Sequence, residues 1–519
     1  MEAYVKVFSN GSTYKALGNT LIVSVGALLL AWLVGGGLAF LTEKTDIGLK
    51  KFIRFFIFLE FCIPPYIFSV SWVQITSRGG YLNRLIKLFS GDFQYTFSPY
   101  SLGAVMIVLA LHLSPLVFFG ISNVLRKNNE ILENAGRMSG ASSFHILKTI
   151  TLPLVFPAFL STGLLIFSRA IANFEIAALL AMPVGKEVLT TKVYKAISAL
   201  DLQTLSVLSL LLIAVSYVFY SLSEGWLKKH TFSVNRTQKT GKKHLVALGK
   251  LKYILYPVLF LYFTTILIFP LITLILSSFM KRWGLQLSLH NMTFNNYFVV
   301  LFGNALIRRG FFNSLFYGVV SASLATVFAL ITVFFYKHIK SRPSRLLMGI
   351  SGLPLSIPNI ALAICAIFAW INPPFKLYGT KWIFIVTYTA LFIPIMIEQM
   401  KGIAENISPA FDTSARTLGI PITGRIIKLF LPQLSRGLMT GWMLSFLIAL
   451  REIPISLLLT SKGNETIGVV LFTIQSNSYG MEMTSTVAIF VILISVVGNL
   501  VINKFINKKS VAYENITDE

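Results

Sequence analysis

Acidic residues are scarce in this chain of 519. Twenty Asp and Glu stand against 45 Lys and Arg, and charged residues of both signs make up only 13%. Soluble domains carry about a quarter charged residues, so a large soluble protein is excluded before any segment is read. Cysteine is nearly absent as well. Cys62 and Cys365 each sit in an apolar run with no second Cys or His nearby, which excludes a disulfide framework or a zinc module. No metal site is therefore expected in the chain. A phosphate-binding loop is missing too: Gly185-Lys186 is followed by Glu187 and Gly241-Lys242 by Lys243, where a hydroxyl would be needed for Mg²⁺. With no clustered catalytic set in the polar segments, the chain is expected to be no enzyme and to bind no cofactor. The net charge of +25 invites a nucleic-acid partner, but such proteins do not also contain long uncharged runs, so none is expected.

What the chain does have is apolar length. Eleven stretches are long enough to cross roughly 30 Å of hydrocarbon. They lie near 17–42, 52–76, 101–123, 152–181, 204–223, 253–279, 312–336, 347–371, 382–400, 432–460 and 483–503. The expected fold class is all-α, a polytopic membrane protein in the lipid bilayer. The first stretch is longer than a signal-peptide core and is read as an anchor. With the amino terminus placed outside, 28 of the 45 basic residues fall on inside segments and 15 outside, which sets the orientation and leaves the carboxyl terminus cytoplasmic. Eight of the 28 lie between Glu224 and Lys252, the longest polar inside segment. Residues 225–252 are accordingly read as a basic cytoplasmic linker between a first half, 1–224, and a second, 253–519.

The halves repeat. An offset of 279 aligns Pro115 with Pro394, Arg137 with Arg416, Gly140 with Gly419 and Leu152-Pro153 with Leu431-Pro432, with 11 identities in the 66 columns from 115 to 180. Upstream, Asn19-Thr20-Leu21 resembles Asn313-Ser314-Leu315 at an offset of 294. One period holds six spans, an even number, so equivalent segments point the same way and the repeat is parallel. The span at 253–279 has no counterpart before residue 17, and the first half reads as five spans against six.

Two inside segments, 124–151 and 401–431, carry the strongest part of the repeat. In Glu133-Asn-Ala-Gly-Arg-Met-Ser-Gly140 and Asp412-Thr-Ser-Ala-Arg-Thr-Leu-Gly419, an acidic residue opens a helix-compatible stretch, Arg follows four residues on and Gly three after that. The spacing predicts a short helix ended by a glycine of positive φ, then a second short helix before the next span begins near Pro153 or Pro432. Apolar residues leave one face greasy, as in a helix lying across the cytoplasmic rim.

This pattern, with Ala135 in its alanine position and Pro thirteen residues after Gly, resembles the "EAA" loop of permease subunits of binding-protein-dependent ABC importers with the type I fold. The Pro64-Pro65 and Pro354/Pro358 spans agree, and Arg451-Glu-Ile-Pro-Ile-Ser-Leu-Leu-Leu459 resembles a Lys-Glu-Leu-Pro-x-Thr-Leu-x-Leu segment of the family. The resemblance covers essentially the whole chain, once per half. It departs at the usual Glu position, which is Asn134 in one loop and Thr413 in the other, the acid standing one residue earlier. The resemblance implies that Glu133, Ala135, Arg137, Gly140 and Pro153, and Asp412, Arg416, Gly419 and Pro432, belong to loops docking on a homodimeric cytoplasmic ABC ATPase. ATP and Mg would be bound by that partner. It implies further an extracytoplasmic substrate-binding protein and a place in the bacterial inner membrane. Two fused halves in about 500 residues most resemble ferric iron permeases, with thiamine and phosphonate permeases as alternatives. A gradient-driven secondary transporter of parallel repeats is the competing class, and it would not need twin Gly-turn helices.

Ionisable residues within spans are costly unless they face protein or water. Arg451-Glu452 precedes Pro454, where the missing N–H lets the helix break, and Asn173-Phe-Glu175 stands at the equivalent place in the first half. These residues read either as a pair of gate segments on a translocation path or as charges reaching water at helix ends. His112 reads as a packing residue.

Overall fold

The computed structural model describes residues 2–90, 98–127, 130–230, 245–339, 341–476 and 480–517. Among these the regular structure is helical, and the only β pairings are the isolated bridges Thr45–Val246 and Met280–Met292. A backbone crossing hydrocarbon must satisfy its own polar groups, and helices do so within one segment. Among the described residues, eight helices are long and apolar enough to cross a membrane: Gly11–Lys44, Leu102–Arg126, Phe144–Ala172, Leu202–Phe219, Gly249–Phe279, Ala305–His338, Lys381–Glu405 and Gly480–Ile502. The helix Leu431–Arg451, of 21 residues, occupies part of the stretch expected to span at 432–460.

Four expected spans are broken. The stretch at 52–76 is a bent pair, Lys50–Cys62 and Pro65–Lys87, turned by 99°, and that at 347–371 is Arg342–Ser356 and Asn359–Trp370, turned by 119°. Pro64-Pro65 and Pro358 stand at the two breaks, where a missing N–H and a fixed φ forbid a continuing α-helix. The stretch at 152–181 stops at Ala172 and resumes as Glu175–Leu180, and that at 432–460 stops at Arg451 and resumes as Pro454–Leu459.

The chain forms two compact units, Met1–Leu276 and Ser277–Glu519. In the first, the helix through Gly11–Lys44 packs against Leu102–Lys127 and Leu152–Ala172. Gly35 permits the approach: a Cβ there would lie 2.3 Å from the Ser114 carbonyl oxygen. The helix Lys252–Phe263 joins this unit by its aromatic side. Phe263 meets Phe52 and Phe56 at 5.9 and 5.4 Å between ring centroids, and the Tyr262 hydroxyl lies 3.5 Å from Ser114 Oγ. The packing boundary therefore falls after this helix, whereas the sequence repeat begins before it. In the second unit, Ala305–His338 packs against Lys381–Asn406 and Leu431–Arg451. Tyr317 stacks on Phe384 at 4.9 Å, and Ser321 Oγ donates to the Ile385 carbonyl at 3.1 Å.

The repeat is visible in hydrogen bonds within each unit. Asn19 Nδ2 donates to the Glu187 carbonyl at 2.8 Å, and Asn313 Nδ2 to the Glu465 carbonyl at 2.9 Å. Thr20 Oγ1 accepts from the Leu189 N–H and Ser314 Oγ from the Ile467 N–H, both at 2.8 Å. Much of the expected linker, 231–244, lies outside the described residues, and on its amino-terminal side the helix Leu202–His230 runs past the expected end of its span.

Candidate functional site

Each unit carries a short helix and glycine turn at the end of its spans. The first rim helix is Glu130–Met138, the second Pro409–Thr417. Both end in the same backbone motif. The Gly140 N–H donates to the Arg137 carbonyl and the Ala141 N–H to the Gly136 carbonyl, at 2.9 and 3.0 Å; Gly419 and Ile420 repeat the pattern with Arg416 and Ala415, both at 3.0 Å. The six-to-one bond is that of a Schellman turn, which needs a left-handed residue. Gly140 has φ +81° and Gly419 φ +70°, and a Cβ at either would meet nothing within 4 Å. The demand for glycine there is one of backbone conformation alone.

After each turn the structure differs from a short helix followed by a span starting at proline. Ser143–Ile146 runs through a π turn, Leu147–Thr151, straight into Leu152–Ala172, and Ile422–Gly424 runs through Arg425–Phe430 into Leu431–Arg451. Pro153 and Pro432 sit in the first turn after the π segment, where the wider i-to-i+5 pattern accommodates the missing N–H. The rim segment is thus a rigid extension of the span.

The acidic residues anchor the rim helices. Glu133 is buried; Lys44 Nζ donates to its Oε1 at 2.6 Å and Thr151 Oγ1 at 2.9 Å, with Arg137 3.8 Å from the other oxygen. Asp412 is buried likewise. Arg416 Nε lies 2.8 Å from its Oδ2, Arg425 Nη1 2.9 Å from Oδ1 and His338 Nδ1 3.3 Å from Oδ2. Asn134 Oδ1 accepts from Arg137 at 3.0 Å. Ala135, Gly140, Pro153, Gly419 and Pro432 are exposed, as are Met138 and Phe144 on one rim and Phe411 and Leu418 on the other.

Lys44, Thr151, His338 and Arg425 were not singled out by sequence. A signal existed: the offset of 294 that aligns Asn19 with Asn313 also aligns Lys44 with His338. Nearby, buried Glu43 accepts two bonds from Arg54, at 3.0 and 2.9 Å, and one from Arg126 at 3.1 Å. The end of the linker is tied to the same corner. Val246 bonds through its backbone to Lys44 and Asp46, the Leu248 N–H donates to Asp46 Oδ1 at 2.9 Å, and Lys252 Nζ donates to Asp46 Oδ2 at 2.7 Å. The Lys252 ammonium holds the Asp46 carboxyl below its ordinary range.

The second set of residues gathers at helix breaks. Asn173 Oδ1 accepts from the Ile176 N–H at 3.1 Å, and its carbonyl accepts from Thr190 Oγ1 at 2.9 Å. Glu452, its equivalent at offset 279, accepts from the Ile455 and Ser456 N–H groups, each at 3.0 Å, and from Asn359 Nδ2 at 3.3 Å. Each caps the short helix that follows, satisfying orphan donors where water is scarce. Glu175 Oε2 accepts from the Tyr66 N–H, at 3.1 Å, at the start of the helix Pro65–Thr76. In each unit, then, a bent pair meets the short helix after a break. Glu175, Glu452 and Pro454 are buried, so these side chains do not reach water, and Arg451 closes the last turn of Leu431–Arg451 half-buried. Among the described residues no group of three or more His, Cys, Asp or Glu could hold a metal ion. His112 packs against Phe68 at 5.9 Å.

A family model described as the binding-protein-dependent transport system inner membrane component matches residues 35–231 and 325–508. The chain is 22% identical over 513 residues to the ferric transport system permease protein FbpB of Actinobacillus pleuropneumoniae, covering 96% of this chain and 72% of that one. It is 24% identical over 475 residues to the putative ferric transport system permease protein FbpB 1 of Haemophilus influenzae, covering 87% and 73%. A solved chain from a bacterial ABC transporter involved in import of the acidic polysaccharide alginate covers 52% of this chain with 17% identity and a TM-score of 0.38.

Proposed function

This chain belongs to the family of inner membrane components of binding-protein-dependent transport systems, and from that premise we propose that it carries ferric iron across a bacterial inner membrane, driven by a separate cytoplasmic ATPase. It is a multi-pass ABC permease with both halves in one polypeptide. Ferric iron as cargo is supported by the names of relatives that align along nearly all of the chain.

The observation that carries the coupling is the twin rim: two left-handed glycine turns, each behind a helix pinned by a buried carboxylate. Two docking loops in one chain suit two grooves of a homodimeric ATPase, so one permease chain would serve one ATPase pair. ATP and Mg would sit on that partner. A displacement applied to the first rim helix would pass through Glu133 to Lys44 at the end of one span and to Thr151 at the start of another. In the second unit Asp412 would do the same through His338 and Arg425. The broken helices around Asn173 and Glu175, and around Arg451, Glu452 and Pro454, would form the gate, since backbone that leaves α geometry inside a membrane is tolerated where it lines a cavity or is buried in protein. An extracytoplasmic binding protein would deliver the cargo, with the amino terminus of this chain on that side.

The test is Gly140→Val and Gly419→Val. A β-branched residue at positive φ costs about 1–2 kcal/mol and more with crowding, so each turn should refold and misplace its rim helix. Membrane insertion should persist while ATPase association and iron uptake fall. Undiminished uptake would sink the docking assignment. For the cargo, ferric iron with its loaded binding protein should stimulate ATP hydrolysis in proteoliposomes, whereas stimulation by thiamine or a phosphonate would reassign it.

A further inference from the structure

The connection between Phe279 and Ala305 is anchored to the second unit with care. The Lys281 N–H donates to the Asn291 carbonyl at 2.8 Å and the Thr293 N–H to the Phe279 carbonyl at 2.6 Å. Asn296 Nδ2 donates to the Ser278 and Met280 carbonyls, both at 2.8 Å, and the Tyr297 hydroxyl lies 2.8 Å from Ser278 Oγ. Polar groups on one side of this segment are thus spent on the protein.

The other side is bare. Residues Asn295–Phe298 form an α turn that continues as a π turn, Val299–Gly303. Phe294, Phe298, Leu301 and Phe302 are 77%, 61%, 45% and 62% exposed. Their spacing of four, three and one puts them on a single helical face, with Asn296 and Val300 buried opposite. From Trp283 to Ile307 the sequence holds no Lys, Arg, Asp or Glu. Such a face would be expected to carry charge at its rim if it met a soluble partner that must also leave.

Two features point to the occupant. Asn304 stops the helix in extended conformation and caps the next, accepting from the Leu306 N–H at 2.9 Å, so the apolar face runs directly into the span Ala305–His338. There it is continued by exposed Phe312, Leu315 and Val319, apolar side chains of a helix long and apolar enough to cross a membrane. At the junction the exposed Arg308 stands where basic side chains reach headgroup phosphates, beside Arg309, whose Nε lies 3.8 Å from Glu465 Oε2. We propose that residues 294–302 form an interfacial helix that inserts Phe294, Phe298, Leu301 and Phe302 among the lipid acyl chains at the mouth of this span and fixes the depth of the second unit in the bilayer.

The experiment places a nitroxide label at Phe298→Cys or Phe302→Cys, in a Cys62→Ser, Cys365→Ser background of the full chain, in phosphatidylcholine/phosphatidylglycerol nanodiscs. Collision with oxygen should exceed collision with a water-soluble nickel chelate, their ratio being at least about threefold higher than for a label at Asn295→Cys. Equal ratios at the three sites would overturn the proposal. So would a nickel collision rate at Phe298 that falls only when an extracytoplasmic binding protein is added, which would assign the face to that protein. If the cysteine-free chain does not fold, a benzophenone residue at position 298 of the native chain asks the same question: crosslinking to lipid is expected, and crosslinking to protein alone refutes it.

Discussion

Glu133 and Asp412 are short side chains buried among cations from other helices, and their loss leaves those cations behind. Lys44 is 11% exposed at its side chain and Arg425 9%. Removing one partner of a buried pair costs on the order of 3–5 kcal/mol, because the remaining charge stays desolvated. Glu133→Ala and Asp412→Ala should therefore each lower the thermal unfolding midpoint measured in detergent by several degrees and uncouple uptake from ATP hydrolysis. Glu133→Gln keeps an acceptor for Thr151 and should fall between. At the other side of the membrane, Lys6 holds the Asp201 carboxyl down to about 2 against an ordinary 3.8. A depressed acid contributes its stabilisation above its unfolded value and loses it as the pH falls toward the folded one. A spin label at exposed Val5, on the helix Glu2–Phe8, should be unchanged from pH 7 to 5 and gain mobility only below about pH 4.

Helices here are interrupted at places where one residue supplies the acceptor that the break requires. Glu452 serves the N–H groups of Ile455 and Ser456, both buried, and a buried N–H without an acceptor costs about 1–3 kcal/mol. Glu452→Ala should destabilise Pro454–Leu459 by at least that much, read as faster amide exchange confined to this helix and its neighbours, whereas Glu452→Gln should retain part of the cap. A uniform rise in exchange across the second unit would instead assign Glu452 to global packing. The element scale also separates what pattern can and cannot reveal. Of the eleven stretches read from hydropathy, eight contain a described helix long and apolar enough to span, two are bent pairs and one holds the shorter apolar helix Gly437–Arg451. Only the break before Pro454, with its equivalent at Asn173, was read in advance; Pro64-Pro65 and Pro358 stand at two further breaks in stretches read as spans, and the break at Asn173 has no proline and rests on a side-chain cap.

At the scale of the molecule, the helical segment 252–276 lies after the linker in sequence but packs within the first unit. Cleavage at a protease site placed among residues 231–244 should therefore leave the two fragments joined, because the carboxyl-terminal fragment contributes this helix, and the Asp46–Lys252 and Val246 contacts, to the amino-terminal one. The fragments should co-purify in mild detergent and transport when co-expressed. Separation on a column after cutting would refute this reading of the helix.

Composition and period were enough to establish an all-α membrane chain, its repeat and its paired glycine turns. These are local properties: hydrocarbon demands apolar length, and a Schellman turn demands a residue tolerant of positive φ. Glu133 and Asp412 each face an Arg four residues on, but their partners Lys44 and His338 lie 89 and 74 residues away, and the acceptor for the Tyr66 N–H lies 109 residues off at Glu175. No local pattern encodes such pairings. The scarce acids with which the sequence began were legible as a count, but which of them are buried anchors and which are caps was decided only when helix packing brought their cations and amides within reach.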